Sequence, residues 1–534
     1  MEKNTKLFQI AQFPITIVLY VINFTLSAIP ALFYTAPAFE DGLGTMASAA
    51  YLAGYDWSAF LAADGYYYKY GQSLWYLLPF FLIPQAVLRY RVMLLINSVL
   101  TSFIPVLAWR IAAGKLHIEK RTAFFIAFLT GIYPSILLYG KYTWAETNLM
   151  VLPWVCLLLL FRIYGTEERH RIRDSVFLAA AVIYAYMSHQ RGMVLILAVT
   201  LTLVCLQCAF RFKLHGAGKR GICWPSYLLT LGAGLLADSV LSGWLKAYVY
   251  AGAVMEHNTL RDFLQPELYR KLLSAEGLRV VLETAAGWLF HSGASTFGCA
   301  FLGLLFMIGV VWKWLRGREG QEEGYLILSL LGLFCYFGAL ALGLLFFFQD
   351  LYGYFDGSKV VRCDHLLFGR YLESSVPILL FVGLIVLYGK TVSPDRAGGK
   401  TAGGRLRFMA LLLFAVVASV TVFRLLPLMD QVSCYVHSLM ALNLFMDTGG
   451  VSGTLDVIPN YVEALAAFAG LSFLIFLFLL CARGRKGRRC GAVLLCVLFL
   501  WIYGWNCVTV IGHVDRCQDS RYAEVYLNGL TISD

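Results

Sequence analysis

Long apolar blocks alternate with short polar ones along the whole chain, and most blocks run about 17 to 25 residues, enough to cross a hydrocarbon core of ~30 Å as an α-helix. Thirteen such spans are predicted, at 13–33, 92–112, 122–139, 147–163, 174–188, 192–210, 226–248, 286–312, 325–348, 371–389, 408–427, 464–482 and 490–511. A helix satisfies its own backbone hydrogen bonds inside lipid. A β-barrel would instead need alternating strands of about ten residues, which this pattern does not contain. The predicted fold class is therefore an all-α polytopic membrane protein, with residues 1–534 forming one transmembrane domain.

The polar segments set the orientation. With the amino terminus inside, the inner segments collect most of the 43 Lys and Arg, and the outer ones hold most of the 32 Asp and Glu. That is the positive-inside pattern, so the net charge of +11 says nothing about nucleic acid, and none is expected as a partner. The expected location is the cell membrane, with the amino terminus cytoplasmic and the carboxyl terminus outside. A hydrophobic content of 59% against 14% charged residues matches no soluble globular composition. No small-residue cleavage pattern follows the first span, which is expected to stay as a membrane helix.

The outer segments are 34–91, 249–285, 349–370, 428–463 and a short tail, 512–534. Within the first, Gly71 to Gln85 is apolar but short and carries Pro79 and Pro84, and it is predicted to lie in the outer interface as a juxtamembrane helix. Tyr66, Tyr67, Tyr68, Tyr70, Trp75 and Tyr76 suit an aromatic belt at that depth. In 249–285, Leu264, Leu268, Leu272 and Leu273 fall on one face of an amphipathic surface helix, with His257, Arg261 and Arg270 on its solvated side. Segment 428–463 lacks Lys and Arg and holds several Gly, as a mobile cover would. The inner stretch Thr391 to Arg407 reads as a flexible linker, and the tail is too short for a folded domain of its own.

The 13 cysteines lie mainly within spans and read as small apolar packing residues. Cys205-Leu206-Gln207-Cys208 has CxxC spacing but sits in a span with no His or acid nearby. Cys363, Cys434 and Cys517 face outward, where an oxidising space would let a pair form, and spacing does not say which. The chain carries no P-loop, no GxGxxG after a strand, no HExxH and no GxSxG.

Chemistry-bearing residues gather at the outer boundary. Glu40 and Asp41 stand where the first span surfaces, and Glu146 opens the fourth. His189 and Arg191 break the chain between two spans, and Arg370 with Tyr371 precedes the tenth. Asp238 falls inside a span, where an acid is costly, so it is hydrogen-bonded within the bundle or part of a polar path. Carboxylates and cations at headgroup depth fit transfer from a lipid-phosphate donor. The leaving phosphate needs only cationic neutralisation, and an acceptor hydroxyl needs a carboxylate to take its proton.

Glu40-Asp41, then Gly54-Tyr55-Asp56-Trp57, then Tyr68-Lys69-Tyr70-Gly71 resembles the first outer loop of GT-C fold glycosyltransferases of the aminoarabinose transferase and protein O-mannosyltransferase kind. Tyr142 to Glu146 resembles the acid of that group's second outer loop, and Gly369-Arg370-Tyr371 its late Arg-Tyr element. The resemblance implies an inverting transfer of a sugar from a polyprenyl-phosphate carrier to a glycan, lipid or protein acceptor at the outer face. Asp41, Glu40 and Glu146 are then the candidate catalytic carboxylates, and Lys69, Arg191, Arg370, His189 and Tyr371 the candidate donor-phosphate ligands. The acidic pair is reversed from the usual Asp-Glu, which leaves the base open between Glu40 and Asp41. A large outer carboxyl-terminal domain and a Trp-Trp-Asp element are missing. Some relatives use a divalent cation, and the acids supply oxygen ligands of the kind Mg or Mn takes, but the sequence requires no metal.

Two other classes compete. A lipid-linked glycan flippase or other transporter predicts internal repeats and charges at mid-membrane depth. A surface-glycan polymerase or ligase would depend chiefly on outer Arg and His.

Overall fold

The computed structural model describes residues 2–37, 39–165, 170–213, 221–254, 265–317, 323–358, 362–389, 400–430, 432, 434, 438–444, 446, 460–482, 484–517 and 521–529. Its regular elements are all helical. Among the described residues eight helices are long and apolar enough to cross a membrane, from Pro14–Leu32 to Gly484–Val508, and a bent pair makes a ninth if it is one span. The helix Trp224–Tyr248 leaves most of its surface facing outward, as a lipid-exposed span does.

Helices lie along all thirteen predicted spans, but among the described residues eight or nine, not thirteen, are long and apolar enough to cross a membrane, and three regions depart in their course. Region 122–139 is two pieces, Lys120–Gly131 and Pro134–Tyr139, because Pro134 starts a new helix where its missing N–H costs nothing. Region 286–312 is not one straight helix. Ala275–Ser295 and Cys299–Leu315 meet at 111°. The bend comes from two consecutive residues in the left-handed region, Phe297 at φ 48° and Gly298 at φ 78°, which reverse the helical path. Region 371–389 contributes only Val376–Tyr388 as α-helix, preceded by the turns that carry Arg370. A single π-turn, Thr421–Leu425, accommodates Pro427 in the next turn.

The first loop folds as expected at its apolar stretch. Ser73–Tyr76 and Leu77–Leu82 form a short apolar helix with Leu78, Phe81 and Leu82 exposed and Tyr76 and Phe80 buried. The tyrosines beside it do not form a belt: Tyr66 and Trp75 are exposed, but Tyr70 and Tyr76 are buried and Tyr67 and Tyr68 turn toward protein partners. Packing and hydroxyl hydrogen bonds inside the loop outweigh the interfacial preference of these rings.

A further predicted outer segment differs from expectation. Within 428–463, the described stretch 438–444 is wedged into the bundle, with Leu439, Met440, Ala441 and Leu442 buried. It is core rather than cover because its apolar side chains find the helices Ala275–Ser295 and Gly484–Cys517. The tail folds back as the helix Arg521–Asn528, burying Tyr522, Val525 and Tyr526 against the first loop. In 249–285 the described helix is Pro266–Leu272, where Leu268 is buried and Leu273 exposed, and Arg270 pairs with Glu267 on the outside. His257, Arg261 and Leu264 lie outside the described residues.

Candidate functional site

Four pieces of chain meet at one end of the bundle: the helix Glu40–Leu52, the turn 140–145, the break 189–191 and the turns 363–371. Glu40 and Asp41 occupy the first turn of their helix, where unpaired N–H groups favour negative charge. Thr143 Oγ1 donates to Gly42 O at 2.9 Å, tying the turn to that helix, and Asn97 Nδ2 donates to Tyr142 O at 2.7 Å from behind. The Tyr68 ring packs on Gly44 so closely that a Cβ there would lie 2.1 Å from it, and the hydroxyl donates to Glu40 Oε1 at 2.9 Å.

Arg370 is the hub. Its Nε donates to Glu146 Oε1 at 2.5 Å, an Nη contacts Asp41 Oδ2 at 2.6 Å, and its guanidinium lies 4.1 Å above the Trp144 ring. Burial opposes its charge, but Glu146 and Asp41 more than offset that and raise its pKa further. Arg191 reaches the same Glu146 oxygen at 2.5 Å, donates to the Arg370 carbonyl at 3.4 Å and stacks 4.5 Å over the Tyr371 ring. Tyr371 in turn lies against Trp288 with ring centroids 6.1 Å apart. Glu146 is thus a buried carboxylate between two guanidiniums, and its Oε2 has no hydrogen-bond partner among the described residues.

His189 accepts a hydrogen bond on Nδ1 from the backbone N–H of Arg191 at 3.0 Å. Burial, and then the Arg191 charge, push its pKa down to about 3, so it is neutral and its proton sits on Nε2. The side chain of Asp41 is one-third exposed, against 4% for Glu146.

Beside this cluster a small cleft opens between the helices Glu146–Tyr164, Gly192–Lys213 and Glu323–Phe355. Arg191 and Tyr371 stand at its polar side, and Leu149, Pro153, Val194, Ala339 and Leu342 form its walls.

Asp41, Glu146, Arg191, Arg370, His189 and Tyr371 are therefore brought together, with Glu40 one residue away and bonded to Tyr68. Lys69 is held elsewhere: its Nζ is 2.7 Å from Asp238 and 3.5 Å over the Tyr186 ring. Burial lowers its pKa and Asp238 acts against that. Asp238 is accordingly paired, through Oδ2, with a lysine of the first loop. Sequence reasoning missed Trp144, whose place directly under Arg370 had no signal beyond its closeness to Glu146, and the Tyr68 link to Glu40.

A divalent cation does not fit this donor set. Among the described residues no three His, Cys, Asp or Glu side chains converge on one point, and one oxygen each of Glu146 and Asp41 is already taken by a guanidinium.

No protein-family model matches the chain, and no curated protein is significantly similar to it. Among solved structures, the chain is similar to ArnT from Cupriavidus metallidurans in the apo state, at 14% identity and a TM-score of 0.47. It is similar to the same protein bound to undecaprenyl phosphate at 13% identity and a TM-score of 0.46. Both alignments cover 95% of this chain and 79% of the other.

Proposed function

We propose that this chain is a membrane glycosyltransferase of the GT-C type, moving a sugar from a polyprenyl-phosphate carrier to an acceptor hydroxyl at the outer membrane face with inversion. One observation carries the reading: a guanidinium shared by two carboxylates, Arg370 between Asp41 and Glu146, sits beside an apolar cleft whose polar side is Arg191 and Tyr371. An anionic head on an apolar tail is the ligand such a site suits, because guanidiniums and apolar helix faces stand side by side there.

The carboxylates then divide the work. Glu146, buried and bonded to two guanidiniums, is a poor proton acceptor and serves to hold Arg370 and Arg191 side by side on one oxygen. Asp41 is the base. In the resting site it is tied to Arg370, and an arriving phosphate takes that guanidinium and frees the carboxylate. As the acceptor oxygen attacks the anomeric carbon, its proton passes to Asp41. The bond from that carbon to the phosphate oxygen breaks on the opposite face, and the electron pair stays on the polyprenyl phosphate, neutralised by Arg370 and Arg191. Glu40 orients Tyr68 and the start of the helix. Lys69, balanced by Asp238, would meet the donor only on the flank of the site.

The test is a split between chemistry and binding in purified protein with a labelled polyprenyl-phosphate sugar. Asp41→Asn should lower kcat by about 100-fold or more with donor affinity kept, and Arg370→Ala should weaken donor binding by about tenfold or more. Full activity in Asp41→Asn would remove Asp41 as the base, and unchanged donor affinity in Arg370→Ala would remove the phosphate site.

A further inference from the structure

Two of the outward cysteines meet, and they meet where the Arg370 segment touches the last outer loop. Cys363 opens the turn that leads to Arg370, and Cys434 belongs to 428–463; both are fully buried. The Cys363 thiol is 3.6 Å from Val432 O, two residues before Cys434, and 3.6 Å from the Tyr461 hydroxyl, and the two thiols, unbonded in this structure, lie close enough to influence each other. Neighbouring polar contacts lock the same two segments. Arg362 forms two hydrogen bonds to Asp364, at 3.0 and 2.5 Å, and Ser438 donates to Asp364 Oδ2 at 2.5 Å. Tyr461 donates to Val432 O at 3.0 Å and also reaches Met429 O.

We propose that Cys363 and Cys434 form a disulfide in the mature protein, stapling the last outer loop to the segment that presents Arg370. The inference rests on the outward placement of these segments, which belongs to the transferase reading. An oxidised dithiol protein of the extracytoplasmic space is the co-reactant. One cysteine thiolate attacks its disulfide, giving a mixed disulfide. The second cysteine attacks the sulfur of the first and expels the carrier thiolate. Two electrons pass to the carrier, and the two protons of the thiols end on its two sulfurs. Burial raises the Cys434 thiol pKa well above its ordinary value, and Cys363 beside it adds to the rise. Thiolate attack is therefore suppressed once the loop is docked, and closure belongs to the folding chain, before residues 438–444 enter the bundle.

The experiment uses the full chain in membranes quenched with N-ethylmaleimide under denaturing conditions, digested without reductant and read by peptide mass spectrometry. The expected result is one linked pair carrying Cys363 and Cys434 that disappears on reduction, with an unfolding temperature several degrees lower after reduction. Cys363→Ser should show the lower temperature already and no response to reductant. Recovery of both cysteines as N-ethylmaleimide adducts, or either one linked to Cys517, overturns the proposal. Sugar transfer measured in the same membranes separates the two ideas. Free thiols with full transfer sink the disulfide alone, whereas a linked pair without transfer sinks the transferase reading alone.

Discussion

Arg370 Nε lies 2.5 Å from Glu146 Oε1 across 224 residues of sequence, and Arg191 shares the same oxygen. A buried carboxylate that balances two guanidiniums cannot be neutralised without leaving a surplus of positive charge in a poorly solvated place. Glu146→Gln is expected to destabilise the fold by about 3 kcal/mol, measured as thermal unfolding in detergent, and to lower donor affinity because both guanidiniums lose their alignment. Arg370→Lys keeps the charge but not the fork, so it should recover stability better than Arg370→Ala while recovering little donor binding. Equal donor affinity in the lysine variant and the wild type would contradict the fork geometry.

His189 should be silent in catalysis over the working pH range. Its pKa in the fold is about 3 and its ordinary value is 6.5, so between these the unfolded chain binds the extra proton. Stability from this group is complete above pH 6.5 and falls as pH drops toward 3. His189→Asn, which can still accept from the Arg191 N–H, is expected to flatten that acid limb in an unfolding titration and leave the shape of the activity profile between about pH 5 and 8 unaltered. A shifted activity limb in the variant would make His189 a proton carrier.

Lys141 gives the opposite side of the pH scale. It is fully buried in the turn before Glu146, and its Nζ has no hydrogen-bond partner among the described residues. Burial lowers its pKa from 10.5 to about 8. Between these values the unfolded state holds more protons, so stability should climb as pH rises from 8 to 10.5. Lys141→Met is expected to remove that slope and to stabilise the protein at neutral pH by on the order of 3 kcal/mol. A destabilised methionine variant would mean the ammonium has an anionic partner in the working protein.

The tail helix should be structural. Tyr526 packs on Trp57 and Tyr90 at centroid separations of 6.1 and 5.6 Å, accepts from Arg89 Nε at 3.3 Å and donates to Ala86 O at 2.9 Å. Tyr526→Ala is expected to cost about 3 kcal/mol locally, seen as faster proteolysis within residues 40–91 while the spans stay protected. Unchanged cleavage there would show the docking to be energetically idle.

Spans were readable because apolar length is a property of consecutive residues. Acids and cations at span ends were readable too, since charge beside lipid is conspicuous. What stayed hidden depends on distant pieces of chain. The bend at Phe297-Gly298 lies inside a run without charged residues, and a glycine there looks like any packing glycine. Tyr68 and Tyr70 looked like interface residues because nothing local shows that Glu40 and the loop core await them. Lys69 looked like a phosphate ligand because its counter-ion, Asp238, is 169 positions away. Glu146 was legible as a site residue, but its role between two arginines was not, since neither partner is its neighbour in sequence.

The docking of Arg521–Asn528 onto the first loop has a consequence for biogenesis. Tyr526 contacts Ala86 across 440 residues, so the loop that bears Asp41 is capped by a segment made long after it. Until that segment emerges from the ribosome, Trp57, Phe60 and Arg89 lack the cover it gives them, and the helix that bears Asp41 waits for part of its setting.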